Sequence, residues 1–337
     1  MKMARVFSPA AALSALSVCA LPLLSPPAAA QVDPSRIVDA FEGVFGKQAG
    51  FRRSGAKGVC AVGEFVGNEQ GRALSSASAF SGKPVPVVAR FSVGGGNPKA
   101  ADNAKSVRGL ALAFDLPAGE VWQMANISTP VFGAATPEQM LGLLESRRVN
   151  PETKLADPAA VKAFNDANPD VLLQGKYLAS QPVPASYGTV NYWGVNAFAF
   201  VNAAGKRQFA KWVFEPVAGT QGLSDEEAKA KPGEFLADEL RQRVATSPLQ
   251  FHFMLHLAQA GDNVNSAVLP LPAERAKVTV GTLTIRQVEA GAGGACANIT
   301  FNPTALPKGV EPSADPILAA RAAPYAVSLG RRLTEGR

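Results

Sequence analysis

The stretch Val190-Asn-Tyr-Trp-Gly-Val-Asn-Ala-Phe-Ala-Phe-Val201, then Asn202-Ala-Ala-Gly205, then Arg207-Gln-Phe-Ala-Lys-Trp-Val-Phe-Glu-Pro-Val217, reads as a long β-hairpin. Both arms are rich in aromatic and β-branched residues, and an Asn- and Gly-bearing turn joins them. Outward from it lie further β-rich runs at 58–66, 86–93, 107–115 running on towards 127, 278–287 and 297–301. Helical patterns occupy 34–44, 137–147, 157–165, 225–246, 248–260 and 314–333. In the first of these Ile37, Val38, Phe41 and Val44 share one face and Gly46 stops the helix. The order lacks the strict strand–helix alternation of a doubly wound sheet. Long antiparallel strands with helices to one side predict an α+β fold, an antiparallel barrel with flanking α-helices. No linker composition divides residues 31–337, which read as one domain.

Residues 1–30 are set apart. Lys2 and Arg5 make a basic start, 10–24 is mostly apolar, and Ala28-Ala29-Ala30 precedes Gln31 as a small-residue cleavage site. This is the pattern of an export signal peptide and predicts a periplasmic location. Pro22, Pro26 and Pro27 and the short apolar run argue against a stable membrane anchor. Without Lys2 and Arg5 the 33 basic residues fall to 31 against 27 acidic ones. That excess is too small and too scattered for a nucleic-acid partner. The remaining cysteines, Cys60 and Cys296, are compatible with a disulfide and equally with two buried thiols.

Near the C-terminus the chain reads Arg321-Ala-Ala-Pro-Tyr325-Ala-Val-Ser-Leu-Gly-Arg331-Arg332. On a helix, an arginine four residues before a tyrosine sets a guanidinium beside a phenol. A free tyrosine, with a pKa of about 10, is a poor metal ligand at neutral pH. A trivalent metal in front and a fixed cation behind favour the phenolate. The only histidines, His252 and His256, stand four apart in a segment read as a buried helix, capped by Ser247 with Pro248 in its first turn. They are read as structural, since Phe253 occupies the place of the glutamate that a zinc-protease pair requires. Gly94-Gly95-Gly96 lacks the spacing of a phosphate loop and reads as a turn.

Several blocks in order resemble the haem catalase family. They are Arg52-Arg-Ser-Gly55-Ala-Lys57-Gly58 with Gly63-Glu64-Phe65, Val88-Ala-Arg90-Phe91-Ser-Val93, and Val107-Arg-Gly-Leu-Ala-Leu-Ala-Phe114. Thr129-Pro-Val-Phe132, Phe301-Asn-Pro303 and Glu311-Pro-Ser313 with Asp315 follow, leading into Arg321 and Tyr325. The similarity runs from about residue 35 to 335 and is strongest to the short, exported catalase-related peroxidases. It implies a catalase-like barrel and a haem cofactor whose iron takes Tyr325 as axial ligand. Arg321 is implied to keep the phenolate. Arg52, Arg90 and Arg332 are implied to pair with the haem propionates, for which fork-shaped permanent cations suit. Phe91 and Phe132 match pocket walls, and Asn196 falls where many catalases carry a histidine bracing the proximal arginine.

The chain departs from the family at the distal side. The family's distal base is a histidine, and the matching residue here is Gly55, which is not competent for acid–base work. The distal asparagine falls at Ile127, and Asn126 is one position off. Arg53 lies on the side of Gly55 but cannot act as a base. General acid–base catalysis is typically worth about 10²- to 10⁴-fold. The expected function is a haem peroxidase of weakened activity that reduces hydrogen peroxide or organic peroxides with a small organic electron donor. The alternative is a catalytically impaired haem-binding protein, a carrier or sensor on the same scaffold.

Overall fold

The computed structural model describes residues 32–289 and 294–335; the export segment at 1–30 lies outside them. Eight strands carry the fold: β1 (Gly58–Gly67), β2 (Pro84–Val93), β3 (Arg108–Asp115), β4 (Val121–Ile127), β5 (Tyr192–Val201), β6 (Arg207–Pro216), β7 (Leu249–Leu257) and β8 (Lys277–Val288). Each pairs antiparallel with the next, and β8 returns to β1, so the sheet closes on itself. The hairpin at 190–217 is β5–β6. Val310–Pro312 adds a short strand to β5, and Val183–Pro184 pairs with Gly222–Leu223 apart from the barrel.

The interior is solid. Phe65, Phe91, Phe114, Trp122, Tyr192, Phe200, Trp212, Phe214, Phe251 and Phe253 all point inward and are buried. Their rings meet edge-on or stacked, as Phe214 and Phe253 do at 4.6 Å. Eight strands enclose a space that side chains just fill, so any ligand must bind outside the barrel. Because successive side chains alternate across a strand, one register step separates core from site throughout the sheet.

Several expected elements change on this frame. The segment read as a helix at 248–260 is β7. Its Leu249, Phe251, Phe253 and Leu255 are buried while Gln250 and His252 are exposed and Met254 and His256 half-buried, a period of two. His252 and His256 lie on the barrel's outer face and, four strand residues apart, are separated by roughly 13 Å. The run at 297–301 is not a strand but a turn and loop. The helix at 225–246 is split into Asp225–Ala230 and Phe235–Thr246, because Pro232-Gly233 interrupts it. That at 314–333 becomes α3 (Pro316–Ala320) and α4 (Ala322–Glu335), since Pro324 has no N–H for the Ala320 carbonyl. A turn at Pro117–Gly119 separates β3 from β4. The helix Leu172–Ser180 is an addition to the expected elements, because its amphipathic patterning is weak.

Two further helices bear on the functional site, α1 (Pro34–Phe45) and α2 (Pro137–Ser146). They pack on each other through Ile37, Ala40, Leu141 and Leu144. Cys60 of β1 and Cys296 are joined by a disulfide across 236 residues of chain. It pins the 294–301 loop to the barrel beside Phe301.

Replacing Cys60 by Ser is expected to lower stability by about 2–5 kcal/mol, read as a lower urea midpoint without reductant. Dithiothreitol should move the unsubstituted protein to the same midpoint and leave the variant where it is. A variant as stable as the parent would show the bond to be energetically idle.

Candidate functional site

A cavity of about 420 Å³ lies on the outer face of β2–β4, within the size range of cofactor pockets. Arg90 and Ser92 of β2, Gly109 and Ala111 of β3, and Ala125 and Ile127 of β4 give it one wall. These are the outward positions between the core residues Phe91, Leu110 and Met124. Ile37, Val38, Phe41 and Phe45 of α1 and Met140, Leu143 and Leu144 of α2 add apolar surface. Pro324, Tyr325, Ser328, Leu329 and Arg332, one stripe of α4, close the remaining side.

Tyr325 is half-buried, and its Oη accepts a hydrogen bond from Arg321 Nη2 at 2.5 Å. Arg321 Nη1 donates to Asn196 Oδ1 at 3.2 Å, and Asn196 Nδ2 donates to Asp315 Oδ2 at 2.8 Å. Asn196 and Asp315 are 2% and 0% exposed, so this relay is fixed by the interior. Asp315 also caps α3, its Oδ1 accepting from Ile317 N at 2.9 Å. The amide at 196 thus braces the arginine, as the sequence suggested. The Arg321 guanidinium lies over the Phe132 ring at 6.0 Å, and Phe132 lines the cavity.

Across the cavity, Arg52, Arg90 and Arg332 gather with no carboxylate among them. Arg52 Nη2 donates to the carbonyls of Cys296 (2.9 Å), Ala297 (3.3 Å) and Ile299 (2.8 Å), which explains why that segment forms no ladder. Its guanidinium sits over the Phe301 ring at 5.6 Å. Phe301 itself holds φ 54°, a conformation bulky residues seldom adopt outside functional sites. Burial, then repulsion from Arg90 and Arg332, pulls Arg52 well below the ordinary guanidinium range, to about 9. Burial likewise takes Arg90 down to about 10 and lowers Arg332. Arg332 Nη2 is buried without a hydrogen-bond partner. Arg90 lies flat on Gly58, where a Cβ would come within 2.6 Å of its Cζ.

Three crowded cations and an orphaned N–H call for an anion with more than one carboxylate. A phenol oxygen with a charged donor behind it suits a hard metal ion. The donor set therefore fits a planar metal-bearing group with two acidic side arms, as haem is. Tyr325, Arg321, Arg52, Arg90, Arg332 and Phe132 are all brought to one cavity.

Gly55 also lines it, at φ +64°. Asn126 also borders the cavity, but its amide is engaged on the barrel side. Its side chain turns into the barrel, where Nδ2 donates to the Leu110 carbonyl at 2.9 Å and Oδ1 accepts from Trp212 Nε1 at 2.7 Å. The outward neighbour is Ile127, so no register slip brings the amide over. Phe91, expected as a wall, is wholly inside the core. Arg53 does not reach towards Gly55. Its Nε bonds Glu42 of α1 at 2.7 Å and its Nη2 pairs with Glu335 of α4, which ties the two helices together. Arg331 strengthens the same tie through Asp39 at 2.6 Å and Glu42 at 3.0 Å. Sequence reasoning missed these pairs; the acidic residues of α1 carried the signal. Lys57 is structural, paired with buried Asp102 at 2.8 Å.

Comparison with known proteins agrees with this geometry. The family description "Catalase" matches residues 48–336. A catalase-related peroxidase of Synechococcus elongatus is 41% identical over 305 residues, 90% of each chain. One from Mycolicibacterium paratuberculosis is 34% identical over 304 residues, covering 89% of this chain and 94% of that protein. Catalase A from Saccharomyces cerevisiae superposes with a TM-score of 0.77 at 22% identity, over 85% of this chain and 62% of the yeast chain. With a cavity of this composition on an eight-stranded barrel and relatives over nearly its whole length, the chain belongs to the catalase family.

Proposed function

We propose that the protein is a haem-dependent peroxidase that reduces hydrogen peroxide or organic peroxides with a small organic electron donor. The observation that carries this reading is the Arg321–Tyr325 hydrogen bond on one side of a cavity that holds three unpaired guanidiniums on another. Tyr325 would hold the iron through its phenol oxygen, and Arg52, Arg90 and Arg332 would hold the two propionates. When bound, haem would supply the redox chemistry that cleaves the peroxide. Arg321 keeps a positive charge against the phenol oxygen, and Asn196 and Asp315 stop it from turning away. The apolar faces of α1 and α2 exclude water. Export, proposed from residues 1–30, is supported by the Cys60–Cys296 bond, which suits an oxidising compartment.

The distal side limits the reaction. The titratable side chains among the described lining residues are Arg52, Arg53, Arg90, Arg321, Arg332 and Tyr325, with no Asp, Glu, His or Lys. Gly55 can neither take nor return a proton, and Ile127 has no polar atom to hold a peroxide. The same observation favours a second reading, a haem carrier or sensor that retains the scaffold without efficient turnover. Adding peroxide to the haem-loaded protein separates them. Fast, donor-coupled peroxide consumption supports the peroxidase, and slow bleaching alone supports the carrier.

Tyr325→Phe is expected to abolish high-affinity haem binding or to change the ferric absorption spectrum; an unaltered spectrum and affinity would exclude this ligand. Gly55→His is expected to raise peroxide turnover by roughly tenfold or more, since it restores acid–base function. The same change should cost about 1–2 kcal/mol of stability, because residue 55 has a left-handed backbone. A correctly folded, haem-loaded Gly55→His protein no faster than its parent would show that the distal base is not what limits turnover.

A further inference from the structure

We infer that the notch beside Gly55 is a binding site for a small carboxylate, which carries the proton that no side chain of the cavity can carry. The inference rests on the peroxidase reading above and names a co-reactant for it. A Cβ at residue 55 would lie 3.3 Å from Ser92 Oγ and 3.5 Å from Arg90 Nη1, so both atoms flank residue 55 where it borders the cavity that all three line. Gly109 makes room for that hydroxyl, since a Cβ there would come within 2.5 Å of Ser92 Oγ. Neither donor is engaged. Arg90 uses Nη2 for the Ala56 carbonyl at 3.2 Å, while Nη1 and Ser92 Oγ have no hydrogen-bond partner among the described residues. A hydroxyl and a guanidinium N–H facing one small space match the two oxygens of a carboxylate.

The charges point the same way. Arg53 is neutralised by Glu42 and Glu335, and Arg321 is turned to Tyr325. Arg52, Arg90 and Arg332 then face the two carboxylates that a haem brings, which leaves one positive charge over. An anion is favoured there. The overall reaction takes a hydroperoxide, two electrons from the organic donor and two protons to an alcohol and water, or to two waters from hydrogen peroxide. Within it the bound carboxylate accepts the hydroperoxide proton and passes it to the departing oxygen as the O–O bond breaks. It ends the cycle unchanged.

The test uses the haem-loaded, full-length protein and ¹³C-labelled acetate, with chloride at equal ionic strength as control. Paramagnetic relaxation of the acetate carboxyl carbon is expected to saturate, and peroxide turnover to rise along the same curve by roughly tenfold. Ser92→Ala should weaken acetate binding roughly three- to tenfold, the worth of one hydrogen bond. Gly55→Asp places a carboxylate in the notch with a residue that tolerates the left-handed region. It should abolish the acetate-dependent relaxation and make turnover independent of acetate. Relaxation that never saturates, an equal gain from chloride, or unchanged binding in Ser92→Ala would each mean an adventitious ion only and overturn the inference. A normal haem spectrum with inert acetate would sink the notch alone, whereas a protein that takes up no haem would remove the peroxidase reading with it.

Discussion

A barrel of eight strands is just wide enough to be filled by its own side chains or to hold one small ligand, and here aromatic and aliphatic side chains fill it. The constraint exports the site to the outer face of β2–β4. It also makes the pleat decide each residue's part. Arg90 and Ser92 face the cavity because Phe91 faces the core; Ile127 faces it because Asn126 faces Trp212. The indole N–H and the Leu110 carbonyl would both lose their partner if the strand slipped by one residue, and buried polar groups left unpaired cost about 1–3 kcal/mol each. The register that removes an amide from the cavity is thus held by the core.

On that outer face the sequence spends stability on charge. Arg52, Arg90 and Arg332 are crowded, partly desolvated and pulled below their ordinary range, with an unpartnered N–H among them. Such a cluster opposes folding until an anion enters it. Two other buried cations have carboxylate partners, Lys57 in Asp102 and Arg53 in one glutamate from each of two helices, while Arg108 and Lys211 are held by backbone carbonyls away from the cavity. The contrast within one chain marks the three arginines as a ligand site and Arg53 as architecture. It also couples the cavity to α1 and α4, because the staple at Arg53 adjoins Arg52 in sequence and binds the helix that carries Tyr325 and Arg332.

Much of this was legible in the residues, and the failures have physical causes. The β5–β6 hairpin, α1, α2 and the Arg321–Tyr325 pair follow from local patterning that tertiary structure reinforces. Leu-Gln-Phe-His-Phe-Met-Leu-His-Leu misled because Ser247 and Pro248 imitate a helix start, and Phe251 and Leu255 satisfy a four-residue spacing. Its buried positions nonetheless repeat every two residues, and the sheet used that period. The 297–301 segment carries strand-like residues, but its carbonyls turn to Arg52, a competitor that no propensity registers. Arg52 and Arg53 are told apart in sequence by the family resemblance alone, since their residue type is the same. The physical difference comes from the glutamates that α1 and α4 bring to Arg53 from distant positions.

The two sides of the cavity are built to different standards, and the difference locates what has changed. The tyrosine side is complete to its third partner, since Tyr325, Arg321, Asn196 and Asp315 form an unbroken series fixed in the interior. An amide at 196 transmits the brace by hydrogen bonding without any need to titrate. The opposite side keeps its supporting hydroxyl at Ser92 and its cation at Arg90 but has glycine at the position they surround. A complete phenol side beside glycine at 55 and isoleucine at 127 is what the proposal requires, a site that binds its anionic group and takes its proton chemistry from a small co-reactant.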